Sequence, residues 1–197
     1  MGRPTLANSR DTKAELLRTA MELVQKRGYN AFSYQDLSEL LNISKASIHY
    51  YFPSKEDLGV SLMEFGQNRF KAWTESIQDK TMTAVEALEA YFSYYAKISA
   101  EGTQVCPGGA MLAEWNTLPE RLRTAAEALS ADHRKWVAAV LERGRKQGEF
   151  TREGSLDEQY RFVRAAIQGS LQIGRSEQRA EYLRTVTKQV LAALKAQ

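Results

Sequence analysis

The sequence predicts an all-α protein, and three observations favour this fold class. Only 4 of the 197 residues are proline, and helix-forming residues such as Ala, Leu, Glu, Arg and Gln are abundant. Apolar residues recur at three- and four-residue spacing along most of the chain. Three helix-start signals follow one another between residues 33 and 57, and together they are far more specific than any one of them.

The first predicted helix runs from Asp11 to Arg27. Its apolar face consists of Leu16, Leu17, Ala20, Leu23 and Val24. Gly28 follows at the position where a helix end favours a left-handed residue. Residues 1–9 have no hydrophobic periodicity, which predicts a mobile N-terminal arm. Its Arg3 would either reach a DNA minor groove or belong to a disordered terminus without a role.

Two short helices joined by a tight turn come next, which is a helix-turn-helix pattern. Ser33, with Asp36 three residues later, predicts a capped start for the first of them. Asn42 suits the turn, and Ser44 predicts the start of the second helix. Ile48 supplies an inward-facing anchor for that helix.

A long amphipathic helix then begins at Ser54, where the start signal repeats with Asp57, and runs to about Asp79. Further helices are predicted over residues 82–99, 107–115, 119–147, 155–174 and 177–195. Breaks between them are predicted at Gly102, residues 116–119, Gly148 and Gly154.

The helix-turn-helix resembles the DNA-binding domain of the TetR family of bacterial transcription regulators. The resemblance is carried by the run IHYYFPSKEDL at residues 48–58, with Ala31-Phe32-Ser33 and Asp36-Leu37 before it. It covers roughly residues 10–58, and the helical remainder matches more loosely. The resemblance implies a three-helix DNA-binding domain over residues 1–53 and a helical bundle for effector binding and dimerisation over residues 54–197. It also implies a repressor that binds a palindromic operator.

DNA contacts are expected at the second helix of the motif, whose first turns meet base edges while flanking donors fix phosphates. Carried over from the family pattern, the groove-facing residues are Lys45, Ala46, Ser47, His49 and Tyr50. The residues expected on the DNA backbone are Ser33, Tyr34, Tyr51 and Lys55. Core packing is the alternative for Tyr50 and Tyr51, and it is the expected role of Phe52.

The distribution of charged residues along the chain supports DNA binding by the helix-turn-helix. Residues 1–55 contain 8 Lys and Arg against 5 Asp and Glu, whereas the remainder contains 19 of each. The whole positive excess therefore lies in the segment with the helix-turn-helix, as a polyanionic partner such as operator DNA requires. A chance imbalance of surface charge is the alternative.

The last two predicted helices carry apolar stripes that the resemblance assigns to a homodimer interface. The interface residues predicted in this way are Tyr160, Val163, Ala166, Ile167, Gly169, Ser170, Tyr182, Val186 and Val190. Small residues among them would allow close approach of a second helix. Ordinary packing within one chain is the alternative for such stripes.

A small-molecule effector is expected to bind in the bundle, where aromatic and sulfur-containing side chains concentrate. The predicted lining residues are Tyr91, Tyr95, Met111, Trp115 and Trp136. Ordinary core packing is the alternative for most of them. No cofactor is expected, and the sequence has no metal-ligand cluster at usable spacing.

Cys106 is a candidate sensor. It precedes Pro107, a residue favoured at the first helical position, so a helix dipole would point at its sulfur and stabilise the thiolate. The segment VCPGGAMLAE at residues 105–114 resembles a TetR-family branch that includes sensors of reactive electrophiles and oxidants. A buried packing residue is one alternative. A thiol-dependent enzyme is another, and it would require His133 to fold close by.

Hydropathy and cysteine content predict a cytoplasmic protein. Mean hydropathy is −0.47, and neither a membrane-spanning run nor a signal-peptide core is present in the sequence. The single cysteine fits a reducing compartment. A DNA-architectural protein without an effector would leave the aromatic-rich helical remainder unexplained.

Overall fold

The computed structural model describes residues 6–77, 81–98, 104–177 and 181–195. Within these residues the chain forms nine α-helices and no β-strand, which confirms the all-α prediction. In chain order they are α1 (Leu6–Arg27), α2 (Tyr34–Leu41), α3 (Lys45–Tyr51), α4 (Lys55–Ser76), α5 (Ala84–Ile98), α6 (Pro107–Ala113), α7 (Glu120–Gln147), α8 (Leu156–Glu177) and α9 (Glu181–Leu194).

Most helix boundaries agree with the sequence to within a few residues. The largest difference is at α1, which begins at Leu6 and not at Asp11. Helix α6 ends at Ala113, two residues before the predicted end, and a short 3-10 helix at Trp115–Thr117 extends into the predicted break. Arg3, Gly102 and the predicted end of α4 at Asp79 lie outside the described residues.

Left-handed backbone conformations end several helices where the sequence predicts an end. Gly28 follows α1 with a φ of 95° and Gly148 follows α7 with a φ of 74°, which glycine adopts without steric cost. Gly154, before α8, has a φ of 69°. Asn42 ends α2 with a φ of 51°, so the turn of the helix-turn-helix is built as predicted.

The three predicted serine caps are all present. Ser33 and Asp36 form a capping box, in which the Ser33 hydroxyl and backbone N–H both donate to the Asp36 carboxylate. Ser44 accepts from the backbone of α3. At the start of α4, the backbone N–H of Asp57 donates to the Ser54 hydroxyl at 3.1 Å. These bonds fix where each helix of the motif begins.

The chain divides into two compact units. The first contains Met1–Asn68 and Pro107–Leu129, so the helix-turn-helix shares a unit with α6 and the start of α7. Its fully buried side chains include Leu16, Leu37, Ile48, Leu58 and Leu122.

The second unit contains Arg69–Cys106 and Ser130–Gln197. Its hydrophobic core is contributed mainly by α5, the later part of α7, α8 and α9, and includes Leu88, Tyr91, Phe92, Val137, Leu141, Val163, Ile167 and Leu191. The predicted DNA-binding residues all lie in the first unit, and the predicted interface residues all lie in the second.

Candidate DNA-binding surface and effector region

Helix α3 presents most of the predicted groove-facing residues to solvent. Its inner side is anchored by Ile48, which is fully buried. Lys45, Ala46 and His49 are exposed, and Tyr50 is 76% exposed. This exposure rules out core packing for Tyr50. Because both helix ends are hydrogen-bonded, α3 offers these side chains from a fixed backbone.

Two residues predicted on the DNA backbone have partners inside the protein. The hydroxyl of Tyr34 points at the carbonyl oxygens of Phe52 (2.8 Å) and Ser54 (2.6 Å), and the side chain is buried. Burial raises the pKa of Tyr34 well above its ordinary value. The prediction that Tyr34 contacts phosphate is therefore corrected: this residue ties α2 to the connection between α3 and α4.

Lys55 is likewise engaged within the protein, and its contact with the DNA backbone stays a prediction. Its ammonium donates to the carbonyl oxygen of Phe32 and lies 4.7 Å from the ring centres of both Tyr29 and Phe32. Partial burial lowers the pKa of Lys55. The charge is thus directed into the helix-turn-helix unit, and Lys55 is not a free surface cation.

The remaining predicted backbone contacts differ in exposure. Ser33 is exposed, although its hydroxyl is engaged in the capping box. Tyr51 is half-buried and its ring meets Tyr50 edge to face, with centroids 5.1 Å apart. Phe52, at 1% exposure, is the core residue that the sequence predicts.

One feature of α3 could not be anticipated from the motif alone. The Nδ1 atom of His49 lies 3.1 Å from the carbonyl oxygen of Pro53, and the imidazole meets the Tyr34 ring at a centroid distance of 4.8 Å. The spacing of four residues between His49 and Pro53 is the signal that could have indicated this contact.

In the first unit, residues after α6 hold the turn that precedes the helix-turn-helix. The backbone N–H of Asn30 donates to the Glu114 carboxylate at 2.9 Å, and its side-chain amide donates to the Thr117 hydroxyl at 2.7 Å. A Cβ at Gly28 would lie 2.1 Å from Glu114 Oε1. Glycine at this position therefore permits the close approach of the Glu114 carboxylate.

The second unit contains an aromatic cluster with a polar centre. The cluster comprises Phe70, Trp73, Tyr91, Tyr94, Tyr95, His133 and Trp136. At its centre, the hydroxyls of Tyr91 and Tyr95 lie 3.1 Å and 3.2 Å from His133 Nδ1, and 3.3 Å from each other. We call Tyr91, Tyr95 and His133 the tyrosine–histidine triad. The ring of Phe70 stacks on His133 with centroids 3.6 Å apart.

Burial keeps every member of this triad neutral. Desolvation, and then the positive charge of Arg164, lowers the pKa of His133 to about 3. Desolvation raises the pKa values of Tyr91 and Tyr95 well above their ordinary range. The sequence indicates His133 only as a possible partner of Cys106. Its tyrosine partners could not be predicted, because they lie 38 and 42 residues away.

The predicted effector residues fall into different units. Tyr91, Tyr95 and Cys106 belong to the core of the second unit, and the partly buried Trp136 packs against that core. Met111 and Trp115 belong to the first unit, where Met111 is fully buried. The structure thus brings together four of the six predicted residues.

Cys106 is a buried thiol at 7% exposure. The next residue, Pro107, begins α6, so the predicted helix start is present. Its burial in the same core as Tyr91 and Tyr95 means that any reagent must reach the sulfur through an opening of the structure.

The predicted dimer interface is corrected for five of its residues. Tyr160, Val163, Ile167, Ser170 and Val190 are each at most 7% exposed in the single chain. They pack within their own chain, which is the alternative that the sequence left open. The other four predicted residues, Ala166, Gly169, Tyr182 and Val186, are partly exposed.

A second stripe of apolar and small residues on α8 is at least partly exposed, although its Ala166 also packs against the core. Phe162 is 45% and Ile173 is 43% exposed, and Ala166 and Gly169 lie between them at helical spacing. A Cβ added at Gly169 would meet no atom within 4 Å. We call Phe162, Ala166, Gly169 and Ile173 the outer stripe of α8. Sequence reasoning missed Phe162 and Ile173 because α8 is apolar on two faces.

Among the described residues, no helix is long and apolar enough to cross a membrane, and no three His, Cys, Asp or Glu side chains are grouped so that they could hold a metal ion.

Comparison with known proteins decides the family. The family "Bacterial regulatory proteins, tetR family" matches residues 16–61, and "Tetracyclin repressor-like, C-terminal domain" matches residues 70–190. The chain belongs to the TetR family. It is therefore a DNA-binding transcriptional regulator and not a thiol enzyme, and most of the helical remainder matches a C-terminal domain of this family.

Individual TetR-family relatives agree in length and fold. The transcriptional repressor KstR2 of Mycobacterium tuberculosis is 28% identical over 159 residues, which cover 80% of this chain and 77% of that protein. The repressor NemR of Escherichia coli is 27% identical over 139 residues, covering 69% and 70%. A TetR-family regulator from Agrobacterium tumefaciens has a TM-score of 0.90 at 29% identity, covering 96% of this chain and 100% of that one.

Proposed function

We propose that this TetR-family regulator is a homodimeric repressor in the bacterial cytoplasm. It binds a palindromic operator and releases it when a small molecule occupies the second unit or when Cys106 is modified. The observation that carries the proposal is the capped helix α3, which is anchored by Ile48 and exposes Lys45, Ala46, His49 and Tyr50.

DNA binding is supported by both geometry and charge. The exposed residues of α3 have the chemistry that reads base edges: a cation, a methyl group, an imidazole and a phenol. The basic excess lies in the same segment, so phosphate contacts are expected to release counterions and affinity should fall steeply with salt.

Dimerisation is assigned to the outer stripe of α8 together with Tyr182 and Val186 of α9. The stripe exposes two large apolar side chains and, at Gly169, leaves room for close approach of another helix. Two-fold pairing of this surface would place two α3 helices on the half-sites of a palindrome, which lie roughly 34 to 36 Å apart for one turn of DNA.

The effector is assigned to the aromatic cluster of the second unit. Aromatic side chains around a few convergent polar groups are typical of small-molecule sites. The tyrosine–histidine triad supplies those polar groups, since its tyrosine oxygens retain lone pairs that can accept from a ligand. Because the triad is neutral, the expected ligand is small, largely apolar and uncharged.

Modification of Cys106 would act at the same core. An added group would need space among residues packed with Tyr91 and Tyr95, and Cys106 directly precedes α6. Displacement of α6 would in turn move Glu114, which holds the Asn30 turn before the helix-turn-helix. A small rotation of each subunit then breaks simultaneous contact with both half-sites, and two-site binding converts it into a large loss of affinity.

The test is operator release by N-ethylmaleimide or hypochlorite, measured by gel shift for the wild type and for Cys106→Ser. Cys106 is the sole cysteine of the chain, so the variant removes every thiol. Release from the wild type alone is the expected result. Equal release from both proteins would make Cys106 a packing residue and leave the effector as a noncovalent ligand of the aromatic cluster.

A further inference from the structure

The hydrogen bond of His49 fixes which of its ring nitrogens carries the proton. Nδ1 lies 3.1 Å from the backbone carbonyl oxygen of Pro53. A carbonyl oxygen can only accept, so Nδ1 must be the donor. In the neutral imidazole the other nitrogen, Nε2, is then a hydrogen-bond acceptor with no proton of its own.

The same contacts hold the ring in place. The imidazole meets the Tyr34 ring at 67°, and the Tyr34 hydroxyl is itself bonded to the carbonyl oxygens of Phe52 and Ser54. His49 nevertheless remains exposed on α3. A side chain held in this way loses little conformational entropy when it binds, which favours a directional contact.

An obligate acceptor on the recognition helix distinguishes two kinds of base. In the major groove, adenine N6 and cytosine N4 carry amino groups that donate, whereas guanine O6 and thymine O4 accept. Each base pair has one amino base and one keto base. An acceptor placed against one strand therefore reads which strand carries the amino base.

We propose that His49 is a specificity-determining residue that accepts, through Nε2, from the amino group of adenine or cytosine at one position of each operator half-site. The proposal rests on the DNA-binding function proposed above. It adds the class of base that is recognised and the atom that recognises it.

The test starts from an operator fragment bound by the wild type at pH 8. Each half-site position is then varied through all four bases, and affinities are measured by competition gel shift. At one position the wild type should favour adenine or cytosine over guanine or thymine by about threefold to tenfold, the range of one net hydrogen bond. His49→Ala should lose this preference, and His49→Lys, which can only donate, should reverse it.

A base analogue isolates the proposed bond. At the preferred position, adenine is replaced by purine or cytosine by 2-pyrimidinone, each of which lacks the exocyclic amine. This replacement should weaken wild-type binding by the same about threefold to tenfold and leave His49→Ala binding unchanged.

The outcomes separate this inference from the general function. If His49→Ala weakens binding to every sequence equally and keeps the base preference, His49 is a phosphate ligand and the inference is overturned while DNA binding stands. If the wild type binds no DNA fragment, the proposed function fails and the inference fails with it.

Discussion

Helix α3 exposes its polar side chains to solvent, whereas the aromatic cluster buries them. On α3, Lys45 and His49 remain exposed while the helix ends are satisfied by caps. In the aromatic cluster, Tyr91, Tyr95 and His133 are buried and hydrogen-bonded to one another. One region can meet a ligand without changing its own structure, whereas the other must exchange internal hydrogen bonds to do so.

This difference indicates which region would have to rearrange when a ligand binds. Burial of a polar group is costly unless it is hydrogen-bonded, so a ligand that takes a hydrogen bond from the triad must replace it or displace the rings around it. The stacked Phe70 and His133 rings would then have to move. A ligand bound at the aromatic cluster would thus be coupled to packing, whereas DNA bound at α3 would not.

The largest expected effect on operator affinity is that of losing the dimer, because an intact α3 would then bind only one half-site. We expect Gly169→Glu to give monomers whose operator affinity is lower by on the order of a hundredfold or more, the loss of two-site binding. The side chain has room within its own chain, so the protomer should stay folded. Sedimentation and gel shift measure the two effects.

Gln147→Glu is the matched control for this variant. It adds the same charge at an exposed position at the end of α7, outside α8 and α9. The control should remain dimeric with full affinity. A dimer that persists in Gly169→Glu would place the interface elsewhere on the surface.

The buried triad predicts a stability that depends on pH. The pKa of His133 is about 3 in the folded protein and about 6.5 in an unfolded chain. Above pH 6.5 neither state is protonated and stability is fully present. Between these values the unfolded chain binds a proton that the folded protein does not, so the free energy of unfolding falls by about 1.4 kcal/mol per pH unit.

Urea unfolding at pH 7.5 and 5.5 checks this expectation. The wild type should lose about 1.4 kcal/mol from this histidine, whereas His133→Gln keeps an acceptor for the tyrosines without titrating and should lose less. His49→Gln, which replaces the exposed histidine in the same way, is the matched control and should lose more stability than His133→Gln. If the loss is the same in His133→Gln, the pH dependence arises from other groups.

The contrast between the regions also explains what the sequence could predict. Cap signals are local, so Ser33, Ser44 and Ser54 correctly located the helix-turn-helix, and the helix boundaries followed from periodicity. Family resemblance then gave the residues of α3. Each of these signals lies within a few residues of the structure that it predicts.

Contacts between distant residues could not be predicted in the same way. The inward direction of Lys55 depends on Phe32, 23 residues earlier, and the role of Tyr34 depends on carbonyl groups 18 and 20 residues later. A stripe such as Tyr160 and Val163 is equally apolar whether it meets its own chain or a partner. The partner of an apolar face is decided by tertiary packing, which periodicity does not contain.

The smallest expected effect separates the two lysines that the sequence assigns to DNA contact, Lys45 and Lys55. Lys45 is exposed on α3, so Lys45→Ala should lower the slope of log affinity against log salt by about 1 and leave thermal stability unchanged. Lys55→Met keeps the apolar stem but removes the hydrogen bond to Phe32 and the contacts with two rings. We expect it to destabilise the protein by about 1 kcal/mol with little change in salt slope.

Fluorescence anisotropy across a salt series and thermal unfolding measure both quantities on the same samples. A reduced salt slope with unchanged stability in Lys55→Met would show that its ammonium leaves the interior to bind phosphate, and would restore Lys55 to the DNA-binding surface.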